Sequence, residues 1–157
     1  MDDIYFMKEA LEEARLALEE GEVPVGAVVV KGGQIIARGH NRCEQLKDPT
    51  AHAEILAIRE ASRILNNHRL INTSLYVTLE PCPMCAGAIV WARIKELVYG
   101  AFDLKAGACG SIINLVQHPV LNHRVKIKEG ILTKECACFL SNFFREKRGS
   151  QEVNFND

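Results

Sequence analysis

The 157-residue chain has no run of about 18 apolar residues, so none of its helices is expected to span a bilayer. It has little that reads as a leader at Met1-Asp2-Asp3, which is acidic where a secretory signal is expected to be basic and then apolar, and a cytoplasmic location is expected. It lacks internal repeats, low-complexity runs and linkers. It lacks net charge: 19 Lys and Arg against 20 Asp and Glu leave −1, so the chain as a whole carries no electrostatic footprint for nucleic acid. Six cysteines are present, but in a cytoplasmic chain they are expected to stay reduced. What remains is 48% apolar and 25% charged, the composition of one globular domain with a real core. The domain is expected over residues 1–148, followed by a polar, frayed tail over 149–157.

The charge is unevenly placed. Eight acids lie between Asp2 and Glu22 against Lys8 and Arg15, and seven bases lie between His123 and Arg148 against three acids. The basic stretch permits contact with phosphate; a solvated helix face explains it equally well. Ile4, Met7, Leu11, Ala14 and Leu18 recur at helical spacing and stop at Gly21. Val25 to Val30 reads as a strand, Lys31-Gly32-Gly33 as a turn and Gln34 to Arg38 as its hairpin partner. A helix is expected from Asp48-Pro49-Thr50 to Leu65, a strand over Leu75–Leu79 and a helix over Cys82–Arg93. A strand over Glu96–Tyr99, a long connection over 101–124, a weak strand over Val125–Lys128 and a helix over Lys134–Lys147 complete the chain. Helices and strands alternate after the hairpin, which predicts an α/β sheet sandwiched by helices.

Two short segments carry chemistry. His52-Ala53-Glu54 lies at one expected helix start and Pro81-Cys82-Pro83-Met84-Cys85 at another. His52, Cys82 and Cys85 supply three ligands to a tetrahedral zinc ion, one per chain, and leave a fourth position open, as catalytic sites do. Helix N-termini favour thiolates there. Glu54, two residues from His52, is placed to take a proton from zinc-bound water and return it to a substrate. That is the chemistry of hydrolytic deamination, in which hydroxide adds beside an exocyclic amine and ammonia leaves; H-x-E with P-C-x-x-C is the pattern of zinc nucleobase deaminases. The competing structural reading is a closed zinc knot with a fourth ligand from His40 or Cys109, and it leaves Glu54 without a role. Cys136 and Cys138 read as buried small hydrophobes.

Beyond these motifs, Gly21-Glu22-Val23-Pro24-Val25-Gly26-Ala27, Asp48 to Glu54 and Val77 to Gly87 resemble the cytidine deaminase-like superfamily. Tyr99 to Gly107, Gly110-Ser111, Asn122-His123-Arg124-Val125 and Phe143-Phe144-Arg145 narrow the resemblance to bacterial tRNA-specific adenosine deaminases, over Tyr5 to Arg148. The resemblance implies a three-layer α/β/α sandwich with a mixed five-stranded sheet. It implies adenosine-to-inosine conversion at the wobble position of a tRNA anticodon, and a homodimer whose anticodon groove uses both subunits. It assigns zinc to His52, Cys82 and Cys85, and the proton shuttle to Glu54. Asn41 would bond the flipped base or its ribose, while the backbone around Ala53, Glu80 and Pro81 would read the purine edge and the departing amine. Asp103, Lys105, His123, Phe144 and Arg145 would line the anticodon groove.

Read from the residues alone, Asn41 serves equally as a cap of the hairpin, and only one of Phe143 and Phe144 can face the core. Trp91 in Ile89 to Arg93 is more similar to the guanine deaminases of the superfamily. A deaminase of free guanine or cytosine is therefore the alternative enzyme, and a zinc-stabilised RNA-binding module the alternative without catalysis. The helix over Ala86 to Trp91 is apolar on every face and must be buried all round, in a core or against a second subunit.

Overall fold

A computed structural model describes residues 2–155. In chain order the elements are α1 (Asp3–Glu19), β1 (Gly26–Lys31), β2 (Gln34–His40), α2 (Cys43–Leu46), α3 (Ala53–Leu65), β3 (Thr73–Leu79), α4 (Pro83–Trp91), β4 (Glu96–Ala101), β5 (Lys126–Glu129) and α5 (Thr133–Phe155). The five strands form one sheet in the order β2-β1-β3-β4-β5. β1 is antiparallel to β2 and β3, whereas β3, β4 and β5 run parallel.

Alternation along the strands builds two cores. Ala27 and Val29 of β1, Leu75 and Val77 of β3, and Leu97 and Tyr99 of β4 face α3 and α4. Val28, Val30, Tyr76 and Val98 face α1 and α5. The central strands are covered on both sides, which is why they read as unbroken apolar runs. This is the expected α/β/α sandwich with a mixed sheet.

The helices differ from their sequence patterns in ways that matter for the site. α1 buries Phe6, Met7, Ala10, Ala14 and Ala17, while Ile4 stays exposed. Small residues form its contact face because the helix lies hard against β1: a Cβ on Gly26 would sit 2.0 Å from the Ala10 carbonyl oxygen. Gly39 of β2 does the same for α3, since a Cβ there would lie 2.6 Å from the Ala53 carbonyl oxygen and 2.7 Å from the Ala57 nitrogen. The helix expected from Asp48 begins only at Ala53, because residues 43–46 form a separate turn of helix, α2, closed by Lys47 in the left-handed region. α4 ends at Trp91, and α5 runs through Gly149 to Phe155, where a frayed tail was expected; residues 156 and 157 of that tail lie outside the described residues. Cys136 is buried against β4 as expected, but Cys138 is exposed.

Candidate active site

α3 and α4 point their N-termini at a common point beyond the end of β3. His52 is the N-cap of α3 and Cys82 the N-cap of α4, both with extended backbone, and neither side chain caps its own helix. Each is thereby free to turn toward the other. The cap of α3 comes from Asn41 instead, whose Oδ1 accepts the Ala53 N–H at 2.8 Å. Pro83 occupies the first turn of α4, where a missing N–H costs nothing.

His52 Nδ1 lies 3.6 Å from Cys82 Sγ and 3.5 Å from Cys85 Sγ, and the three donor atoms fall within 4.8 Å of one another. A tetrahedral ion with bonds of about 2.0–2.1 Å to nitrogen and 2.3 Å to sulfur separates N and S donors by about 3.6 Å, so the donor set fits zinc in both chemistry and spacing. The candidate fourth ligands of a closed knot are elsewhere. His40 is held between Glu13 at 2.8 Å and Glu20 at 3.0 Å, and the buried Cys109 thiol faces the Pro81 carbonyl.

The electrostatics agree with a metal centre. Hydrogen bonds from the Cys85 thiol and from His52 hold Cys82 far below the ordinary thiol range. Cys85 is driven up in turn, by its bond to Cys82 and by burial. The bond to Cys82 raises His52. Glu54 sits one residue into α3, 4% exposed, and burial raises its carboxyl against the opposing pull of His52. A carboxyl lifted toward neutrality and held beside the donor cluster suits a group that must both accept and release a proton.

Around this centre are loops, and two buried carboxylates anchor them. Glu22 accepts the Glu44 and Gln45 N–H groups at 3.0 and 2.9 Å, fixing α2. Glu80 accepts the N–H groups of Asp103, Cys109 and Ser111 and the Ser111 hydroxyl, fixing residues 102–111. Neither carboxylate role was read from the sequence. The signals were present: a glutamate directly before Pro81 at the end of an apolar strand, and Gly107 in the facing loop. A Cβ on Gly107 would meet the Glu80 carboxylate at 2.5 Å.

The residues expected at a groove divide into two groups. Asp103, Lys105 and Phe144 line one cavity of about 610 Å³, with Val23, Leu79, Phe102 and Leu140. Phe143 is 8% exposed and Phe144 47%, so the second of the pair faces this cavity and the first the core. Lys147 and Arg148, part of the basic stretch but not among the residues the resemblance places in the groove, line it; Arg145 does not. His123 lies elsewhere and donates to the Ile94 carbonyl at 2.6 Å, tying down the long connection. The Ala53 N–H is engaged by Asn41, the Glu80 N–H by Ala101 and the Pro81 carbonyl by Ala108, so these backbone groups are already paired within the chain.

A parallel sheet edge, two facing helix N-termini, a His-Cys-Cys donor set and an adjacent buried glutamate define a deaminase, and the MafB19-like deaminase family matches residues 1–148. A tRNA-specific adenosine deaminase of Bacillus subtilis is 52% identical over 152 residues, 97% of this chain and 94% of that protein. A solved structure from work on A-to-I editing by tRNA deaminases at the wobble position of transfer RNA is similar with a TM-score of 0.84 and 49% identity, covering 87% of this chain and 99% of the other. The guanine deaminase of Bacillus subtilis is similar at a TM-score of 0.64 and 36% identity, over 90% of this chain and 93% of the other. The chain belongs to the family of tRNA-specific adenosine deaminases.

Proposed function

We propose that the protein deaminates adenosine to inosine at the wobble position of a tRNA anticodon, with one zinc ion held by His52, Cys82 and Cys85. The observation that carries this is the donor triangle at two helix N-termini with Glu54 buried beside it. His52, Cys82 and Cys85 would hold the ion, which would supply a Lewis acid able to make water nucleophilic near neutral pH. Glu54 takes the proton released from the attacking water and delivers it to the departing amine. Two helix dipoles aim their positive ends at the point where negative charge develops. Asn41 fixes the start of α3, and so the direction of both His52 and Glu54, through its bond to Ala53.

The cavity between residues 102–106 and α5 is read as the seat of the anticodon loop. Its apolar floor of Leu79, Phe102, Leu140 and Phe144 suits stacked bases, and Lys105, Lys147 and Arg148 suit phosphates. A loop offers bases already partly unstacked, which lowers the cost of extruding the target. Incubating the protein with purified tRNA and measuring inosine tests this reading. Inosine at the wobble position supports it, whereas turnover of free guanine with none in tRNA would transfer the protein to the guanine deaminase reading, which Trp91 favours.

A homodimer belongs to the same proposal. α4 leaves Met84, Gly87, Ala88 and Trp91 on one outward stripe at helical spacing, and Trp91 is 77% exposed. Exposed Val120 and Leu121 lie in the nearby connection, Leu121 sharing a small cavity with Gly87 and Trp91. The helix expected to be buried all round is thus covered on its inner face alone. A second copy supplies the missing cover; a monomer by light scattering at micromolar concentration would count against it.

A further inference from the structure

We propose that Glu80 is a positioning residue for the RNA substrate, acting by holding the loop over residues 102–111 at a fixed height above the metal centre. The proposal rests on the reading that this loop and α5 seat the anticodon. Glu80 is 2% exposed, and it follows β3 directly and precedes Pro81-Cys82. One carboxylate oxygen accepts the Asp103 N–H at 3.2 Å and the Ser111 hydroxyl. The other accepts the Cys109 N–H at 3.1 Å and the Ser111 N–H at 3.0 Å. Three backbone amides and a hydroxyl thus hold the charge, so the carboxylate acts as a template for backbone.

Burying a carboxylate is costly, and an apolar side chain would fill the same space. The acceptors are therefore what the position requires. Gly107 marks how tightly the loop wraps, because a Cβ there would lie 2.4 Å from the Asp103 carbonyl oxygen and 2.5 Å from the carboxylate. The loop's outward positions, 102–106, are the ones that line the cavity. Asp103 passes the constraint on, since its own carboxylate accepts the Lys105 and Ala106 N–H groups at 3.0 Å. One short segment, Glu80 to Cys82, therefore carries a metal ligand at one end and the substrate loop at the other. Glu80 sets the offset between them.

The test is Glu80→Gln, which keeps the volume and one oxygen but presents an NH₂ group where an N–H must be accepted. Ser111→Ala, which removes a single donor and leaves the carboxylate, is the second variant. Zinc content, KM and kcat on an anticodon stem-loop, and amide hydrogen exchange at residues 103–111 are measured in the zinc-loaded protein. For Glu80→Gln the expected result is wild-type zinc content, KM raised about tenfold with a smaller fall in kcat, and faster exchange confined to the loop. Ser111→Ala should shift both readouts in the same direction by a smaller factor. Unchanged KM and exchange in Glu80→Gln would overturn the proposal. Zinc lost in proportion to activity would also overturn it, by showing that Glu80 merely supports the ligand segment. If Glu80→Gln does not fold, unchanged KM and exchange in Ser111→Ala overturn it instead. A wild-type protein inactive on the stem-loop would sink the substrate reading, while the exchange data would still score the loop's dependence on Glu80.

Discussion

At the candidate metal site, His52, Glu54, Cys82 and Cys85 stand on two helix N-termini packed against the sheet, and Glu54 and Cys85 are buried. At the rim, Phe102, Leu104 and Phe144 project from a loop and a terminal helix and are exposed. The centre is held by covalent proximity to regular structure, so its geometry follows from where helices start. The rim is held by a few buried acceptors, chiefly Glu80, so its geometry follows from hydrogen bonds that cross the chain. The two regions thus rest on different supports, joined only through the short segment Glu80 to Cys82, and on the proposed function substitutions should separate chemistry from recognition.

The largest effect is expected at the centre. Glu54→Ala should lower kcat by at least about 10²–10⁴-fold, the usual scale of general acid–base catalysis, while zinc content stays at that of the wild type. Cys82→Ala should abolish activity and empty the site as well. Metal analysis beside inosine formation distinguishes the two, and an active Glu54→Ala would end its role. At the rim, Phe144→Ala should raise KM for an anticodon stem-loop by about tenfold or more, the value of ~1–3 kcal/mol for one stacked base, with zinc unchanged. Arg145→Ala, outside the cavity lining, should do less; equal losses from both would blur the boundary drawn here.

Between the regions stands Asn41. Asn41→Ala removes the cap of α3 and should cost about 0.5–2 kcal/mol, read as a lowered Tm of the zinc-loaded protein. The smallest effect lies on the far face of the sheet. Burial raises the Asp3 carboxyl, but hydrogen bonds from Tyr76 at 2.6 Å and Lys128 at 3.1 Å outweigh it and leave Asp3 below the ordinary aspartate range. A carboxyl lowered on folding stabilises above its unfolded pKa and loses that contribution as pH falls through the folded value. Asp3→Asn should therefore cost less than about 1 kcal/mol at pH 7, and the difference from wild type should shrink in denaturant melts at acidic pH. A cost that persisted there would point to packing instead of charge.

The centre was legible in the sequence because each of its two segments carries a recognisable local pattern, although 30 residues separate His52 from Cys82. Spacing alone brings Cys82 and Cys85 onto one turn, and Pro83 announces the helix that carries them. The sheet was equally legible, since β-branched runs bounded by glycine and proline set its strands. What was missed depends on contacts over long separations. No local signal says that Asn41 caps a helix twelve residues on, and although Glu80 before Pro81 and Gly107 hint at a buried acceptor, nothing local names Ser111 as its partner. The start of α3 was placed too early for a different reason: Asp48 accepts from Thr50 two residues on and forms a turn of its own, so it is no cap of that helix. α1 was read in part: Met7 and Ala14 are buried and Leu11 packs against the core, but Ile4 is exposed, and Ala10 and Ala17, absent from the pattern, are buried with them. Phe143 and Phe144 could be divided only by seeing which side of α5 meets the core.

The order of the strands has a consequence for synthesis. All three metal donors precede α4's second turn, yet β3, which brings the cysteines to His52, lies between β1 and β4 in the sheet. A ribosome therefore delivers the complete donor set before it delivers β4, the second of the two strands that flank β3, and well before α5 covers the opposite face. Because chains fold from the N-terminal side as they emerge, a zinc ion would meet the donors on a half-built sheet. An ion bound at that stage would join the strands that later enclose it, so metal supply during translation, and not only afterwards, would govern how much of the chain reaches the folded form.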